Sequence, residues 1–322
     1  MTPDTSRGAG WTRRSPTVSR VLSGVLRRLT ARQRALVRRA RHWQAPTVVE
    51  TGYRAILQRP SDPWGRRNFV GRLVRDELTV EQLGRELLES PEFERVQATR
   101  DLVHSLHHSR CAFVRSLPAA RRILDLGGTN LQHEHGAMVT MGYPYDFDEL
   151  VIVDLPPDER HPLYNRGGLR EDVETPRGKI RYAYHSMEDL SRYPDDAFDL
   201  VYSGQSIEHV PTEVADTVLA EAYRVLRPGG WLAVDTPNGL VTRLQQDEFI
   251  DPDHKVEYAP TELEKKLTGA GFELVERKGL NLGVRSAKTG TFDVREVAEN
   301  VGVFSDAESC YLLAMLCRKR AT

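Results

Sequence analysis

The sequence predicts an α/β protein, a seven-stranded sheet with helices on both faces, preceded by a small all-α domain. Three observations carry this. From residue 121 onward, short β-rich apolar runs alternate with helical stripes, the pattern of a layered sheet. Residues 47–95 hold only short helical stretches punctuated by Pro60, Asp62, Pro63, Gly65 and Pro91. At 322 residues the chain also exceeds the usual span of one domain, so a main core with a smaller appended unit is expected.

Composition narrows the class. A hydrophobic content of 39% with 28% charged residues excludes wholesale disorder. No apolar run approaches the roughly 20 residues of a membrane-spanning helix. Cys111, Cys310 and Cys317 make an odd count without metal-knuckle spacing, which fits a reducing cytoplasm better than a disulfide framework. The net charge of −1 hides an asymmetry. Residues 1–45 carry eleven Arg against one Asp, +10, which leaves −11 for the rest.

Taken in order, residues 1–16, with Pro3, Gly8, Gly10 and Pro16, show no apolar periodicity and read as a mobile tail. Residues 17–45 read as a basic amphipathic helix stopping near Pro46. Val21, Leu22, Val25, Leu26, Leu29, Leu36 and Val37 recur mostly at three- and four-residue steps, with Arg on the other faces. Arg27, Arg28, Arg32 and Arg34 interrupt any signal-peptide core, so secretion is not expected. Two readings of this helix stand side by side: a peripheral contact with an anionic membrane face, or packing against a neighbouring domain or subunit. Residues 46–96 read as the small helical domain and 97–118 as a connecting helix ending at Pro118.

Residues 119–322 hold the sheet. Its strands are expected at 122–126, 150–154, 180–185, 200–203, 231–235, 272–276 and 311–317. Between the fourth and fifth, Val214, Val218, Leu219, Ala222, Val225 and Leu226 form a helical stripe ended by Arg227-Pro228-Gly229-Gly230. Thr261 and Glu264 have capping-box spacing and open a helix before the sixth strand.

The chemistry concentrates at strand ends. Ile123-Leu124-Asp125-Leu126-Gly127-Gly128 is an apolar strand ending in an acid and a glycine pair, where backbone approaches a ligand closely because no Cβ intervenes. Val151-Ile152-Val153-Asp154 puts a carboxylate where sheets of this kind bind ribose hydroxyls. His185-Ser186-Met187-Glu188-Asp189 can read an adenine edge while Met187 covers its face.

With Phe198-Asp199-Leu200-Val201-Tyr202-Ser203, Ser206-Ile207-Glu208-His209-Val210 and Arg227-Pro228-Gly229-Gly230, these segments resemble the class I S-adenosylmethionine-dependent methyltransferases. The resemblance runs from residue 119 to the C-terminus and implies a Rossmann-like sheet. Glu257-Tyr258-Ala259-Pro260-Thr261-Glu262-Leu263 and Ala270-Gly271-Phe272 are similar to the branch that methylates small molecules. The resemblance places Asp125, Gly127 and Gly128 around the methionine part of the cofactor, Asp154 at the ribose, Met187 and Glu188 at the adenine, and Ser203 at the fourth strand end. Two departures stand out: Thr129-Asn130-Leu131 replaces the third loop glycine, and Ser186 stands where relatives carry Asp.

Since a sulfonium methyl is already activated, the protein must position an acceptor, exclude water and remove one proton. His209 is the first candidate base and His254 the second. Each also has a plainer reading, His209 as a pocket wall and His254 as a solvent-exposed loop residue. Glu208 can cap the following helix or touch cofactor. His133-Glu134-His135 and Asp146 with Asp148 invite a metal reading, but no ligand set has characteristic spacing and no metal site is assigned. Asp235 to Asn238 are placed over the pocket, Asn238 as a substrate contact or a turn.

Residues 47–95, with Tyr53, Arg59, Asp62, Pro63, Gly65, Ser90, Pro91 and Phe93, resemble a short helical domain of unknown function found in bacterial surface-layer and polysaccharide-related proteins. Together the two resemblances imply an O-methyltransferase of polysaccharide biosynthesis, acting on a hydroxyl of a small-molecule or surface-glycan acceptor, lipid-linked if the basic helix meets the inner membrane face. A non-catalytic Rossmann-like scaffold is the alternative. An NAD-dependent oxidoreductase fits less well, because the loop lacks GxGxxG and none of the eleven tyrosines is followed by Lys four residues on. No nucleic-acid partner is expected, as the sheet domain is acidic.

Overall fold

The first described helix, α1 (Ala31–Gly52), runs through the proline expected to end it. Ala45, Val49, Tyr53 and Leu57 recur every fourth residue and are all buried, so packing of this row offsets the lost hydrogen bond at Pro46. A π turn at Tyr53–Leu57 completes the row and ends at Gln58, in the left-handed region. The computed structural model describes residues 31–165 and 168–321, without the side chains of residues 31–38 and 41. The expected tail and the start of the basic helix lie outside these.

The chain divides into two units, up to Gln97 and from Ala98. In the first, α2 (Pro63–Val74) starts with Pro63 behind Asp62, whose carboxylate accepts from the Trp64 and Gly65 amides. The next helix, α3 (Val80–Leu88), opens on a capping box in which Thr79 and Gln82 satisfy each other's backbone amides. Phe69, Leu73, Leu78, Leu83 and Leu87 close a small core with the α1 row.

Helix α4 (Pro91–Arg115) begins with Ser90 accepting from the Phe93 amide. The stretch expected to be a connector lies in the second unit's core through Leu102, Cys111, Phe113 and Val114.

The sheet of the second unit contains β1 (Arg122–Leu126), β2 (Glu149–Asp154), β3 (Val173–Thr175), β4 (Gly178–Tyr184), β5 (Phe198–Gly204), β6 (Leu226–Pro237), β7 (Glu273–Leu282), β8 (Val303–Phe304) and β9 (Cys310–Arg318). Their order is β3-β4-β2-β1-β5-β6-β9-β7-β8. The seven expected strands are present, but the count among the described residues is nine. The two additions, β3 and β8, are short antiparallel edge strands beside β4 and β7, too brief to leave an apolar run in the sequence.

Strands β4, β2, β1, β5 and β6 are mutually parallel, so their carboxyl ends share one edge. Side chains alternate between two apolar layers. Ile123, Leu150, Ile152, Ile180 and Leu200 face the layer holding α4, α5 (Gly136–Thr140), α7 (Gly239–Gln245) and α10 (Val294–Glu299), which follows the short α9 (Val284–Thr289). Leu124, Leu126, Val151, Val153 and Val201 face α6 (Thr212–Val225) and α8 (Pro260–Gly269). Helix α8 is capped two residues earlier than expected, at Ala259 in place of Thr261: Glu262 accepts from the Ala259 amide, and Thr261 with Glu264 lies inside. Among the described residues no helix is long and apolar enough to cross a membrane.

Candidate active site

The carboxyl edge of the parallel strands opens into a cavity of about 460 Å³, lined entirely from the second unit. At the end of β1 the chain reverses at Gly127, φ 77°, whose amide donates to Val153 O. A Cβ there would stand 2.6 Å from Ser206 Cβ, and one on Gly128 would run into the Asp125 carboxylate. The glycine pair thus lets the loop fold down onto Asp125, with Gly127 lining the cavity and Asp125 and Gly128 buried outside the lining. Asp125 is buried, and neither oxygen makes a hydrogen bond of ordinary geometry. Burial pushes its carboxyl up to about 7, against the pull of the Met138 amide and Arg110.

Asp154, at the end of β2, accepts from the Leu155 amide and lies 3.4 Å from Arg160 Nε. After β4, His185 is held between Ser186 O and Tyr193 OH while Ser186 and Met187 line the cavity. Glu188, expected beside Met187 at the adenine, is exposed and outside the lining. Ser203 is buried beneath the lining and shares a 2.7 Å hydrogen bond with Ser206 Oγ.

Beyond β5 a 3-10 turn, Ile207–His209, brings Glu208 and His209 to the wall. His254 reaches the same wall from the loop after α7, with its ring centroid 4.9 Å from that of His209. His209 Nδ1 faces Asp253 Oδ2 at 3.1 Å, and His254 Nδ1 faces Glu257 Oε1 at 2.8 Å. Glu257 is itself held by Thr242 and the Ile250 amide. Burial pulls the His209 pKa below its ordinary value, helped by neighbouring His254. Burial also acts against charge on His254, but the Glu257 hydrogen bond and the Glu208 charge outweigh it and raise that pKa. Glu208 is fully buried: Oε2 accepts from Thr236 Oγ1, Oε1 has no partner, and burial pushes the carboxyl up to about 7.

Of the expected site residues, Gly127, Asp154, Met187, His209 and His254 meet at one cavity. Arg160, His161, Tyr164, Asp251 and Asp253 join them unforeseen, Tyr164 donating to Asp251 and setting its ring edge-on to His209. Asp235 is not over the cavity. It is buried and bound to Arg110, Tyr202 and Gln205. Asn238 is a turn residue: its side chain caps α7 and donates to Ala307 O and Cys310 O. In the stretch after Gly128, Asp146 pairs with Arg177 and Asp148 with Arg121, both at the surface.

Residues 153–234 match the family profile described as a methyltransferase domain. Over that quarter of the chain it is similar to methyltransferase domains. The match runs from the end of β2 into β6 and takes in Asp154, Met187, Ser203, Glu208 and His209. A probable S-adenosylmethionine-dependent methyltransferase of Mycolicibacterium smegmatis is 36% identical over 113 residues, 35% of this chain and 42% of that one. The ubiquinone biosynthesis O-methyltransferase of Xanthomonas axonopodis is 28% identical over 192 residues, 55% of this chain and 74% of that one. The chain therefore spans less than half the length of the first of these relatives. A solved S-adenosylmethionine-dependent methyltransferase from Thermotoga maritima superposes with a TM-score of 0.47 at 19% identity, covering 70% of this chain and 95% of that one.

The residues at this edge fit S-adenosylmethionine, the cofactor that the matched methyltransferases imply. The open glycine turn, the two unshared oxygens of Asp125 and the buried, unpartnered Thr129 Oγ1 together leave a cradle that lacks polar partners of its own.

Proposed function

We propose that the protein transfers a methyl group from S-adenosylmethionine to a hydroxyl of a small-molecule or glycan acceptor held in the cavity. The observation that supports this most is that one chamber joins the glycine cradle and Asp154 to a buried His-Glu cluster. In this reading Asp125, Gly127 and Gly128 hold the methionine part, Asp154 the ribose hydroxyls, and Met187 covers the adenine. Ser203 acts indirectly, by fixing Ser206 at the wall. S-adenosylmethionine supplies an activated methyl, so the chain's remaining work is alignment, exclusion of water and proton removal.

His209 accepts the hydroxyl proton at Nε2, because Asp253 holds Nδ1 in its protonated form and leaves Nε2 with the lone pair. His254, held by Glu257, stands beside it on the same wall and is the second acceptor. The Xanthomonas relative's name as an O-methyltransferase supports an oxygen acceptor. The glycan context draws on the resemblance of residues 47–95.

Calorimetric titration of S-adenosylmethionine and S-adenosylhomocysteine into the full chain tests the reading, with Asp154→Ala and NAD as controls. Saturable binding weakened by the substitution, with NAD inert, is expected. Failure of both nucleosides to bind would sink it.

A further inference from the structure

The wall formed by Glu208, His209 and His254 has features that proton removal alone does not require. One ligand-capable atom from each of the three lies within 4.8 Å of the other two, and among the described residues this is the group of His, Cys, Asp or Glu side chains so arranged. Glu208 is fully buried, yet its Oε1 has no hydrogen-bond partner, although a buried carboxylate oxygen left unpaired is costly. Both imidazoles present Nδ1 to a carboxylate, Asp253 for His209 and Glu257 for His254. That arrangement fixes the tautomer and leaves each Nε2 lone pair available, the outer-shell support that metal-bound histidines regularly have. Thr236 and Thr242 in turn hold Glu208 and Glu257. The cluster faces the cavity, which leaves room for further ligands from solvent or acceptor.

We propose that Glu208, His209 and His254 form a two-histidine, one-carboxylate site for a divalent transition-metal cation of the zinc or cobalt type. Two imidazole nitrogens with a single oxygen suit such borderline cations, whereas magnesium and calcium need a shell of oxygens. A cation about 2.0–2.2 Å from each donor requires the three side chains to draw together. The site's catalytic part rests on the reading of the cavity as an acceptor pocket: a cation there holds the acceptor oxygen through its open position, and in metal-free protein the same imidazoles are the proton acceptors.

The test uses the full chain, stripped of metal with a chelator and titrated with Co²⁺ while its visible absorption is recorded. Saturable bands displaced by Zn²⁺ but not by Mg²⁺ are expected. Glu208→Gln and His254→Ala should each weaken Co²⁺ binding by more than tenfold. Asp253→Asn, a positioning change that spares the ligands, should weaken it by about 10–100-fold. His107→Gln, on exposed α4 surface near His104 and His108, should leave it unchanged. S-adenosylhomocysteine titration of every variant checks the fold, and separates loss of the metal site from failure of the cofactor reading. Absence of bands in protein that binds S-adenosylhomocysteine, or equal Co²⁺ affinity in wild type, Glu208→Gln and His254→Ala, overturns the proposal.

Discussion

Asp125 sits under the glycine turn with both oxygens unshared, so its protonation reports directly on its surroundings. In the folded chain it keeps its proton up to about pH 7, whereas an unperturbed aspartate releases it near 3.8. Between these values the folded state binds one more proton than the unfolded state. Its contribution to stability is therefore present in full below the lower value and declines as pH rises toward the upper one, by about 1.4 kcal/mol per unit. Denaturant unfolding of cofactor-free protein should show this decline relative to Asp125→Asn, which lacks the group. Parallel pH profiles would mean that Asp125 is ionised throughout. Gly127→Ala tests the turn above it. The left-handed backbone and the Ser206 contact should cost about 1–2 kcal/mol and abolish nucleoside binding, read by the same unfolding series and by calorimetry. These positions were legible because strand ends in a parallel sheet converge whatever the loops do. Tyr164, Asp251 and Asp253 were not, since their loops carry no periodicity and Tyr164 meets Asp251 from 87 residues away. Glu188 falls outside the lining that Met187 joins, because adjacent residues of an irregular loop face in unrelated directions.

At the level of elements, the seven principal strands follow from apolar runs long enough to be buried on two faces, although β6 begins five residues before its expected start and β7 ends six residues beyond its expected end. Helix α1 was misjudged at Pro46 because local propensity was outweighed by the buried row it shares with Tyr53 and Leu57. The pairing of α4 with the sheet was equally hidden, as it depends on contacts over 125 positions. Arg110 on α4 reaches Asp235 on β6, with Nε 2.6 Å from Oδ1, and Tyr202 donates to the other oxygen. Asp235 is fully buried, so removing the cation leaves an uncompensated charge. Arg110→Met should destabilise the protein by about 3–5 kcal/mol, and adding Asp235→Asn should restore a substantial part of that. Urea unfolding of the two single variants and the double variant measures the coupling. A single-variant cost no larger than that of a surface substitution would show that α4 is held by its apolar contacts alone.

On the scale of the whole chain the dominant feature is the separation of charge, +10 in residues 1–45 against −11 in the remainder. An acidic body is repelled by an anionic surface, so any attraction must come from the arginines at the other end. In the same stretch Val21, Leu22, Val25, Leu26 and Leu29 supply apolar residues at helical spacing, and Trp43, described on α1, is 76% exposed. Arginine with an exposed indole suits the interface between lipid headgroups and water. The full chain is therefore expected to sediment with vesicles containing anionic lipid at low salt, to release as salt rises, and to ignore neutral vesicles. Each basic residue at such a surface contributes about 1 kcal/mol, so Arg27→Gln, Arg28→Gln, Arg32→Gln and Arg34→Gln combined should lower the partition coefficient by roughly a thousandfold. Cofactor binding should be unchanged in that variant, since no cavity residue is altered. Equal binding to neutral vesicles, or binding indifferent to salt, would remove electrostatics as the cause. Equal binding would mean that the apolar stripe enters lipid by its apolar face alone, whereas no binding to either kind of vesicle would assign the stripe to packing against another protein surface.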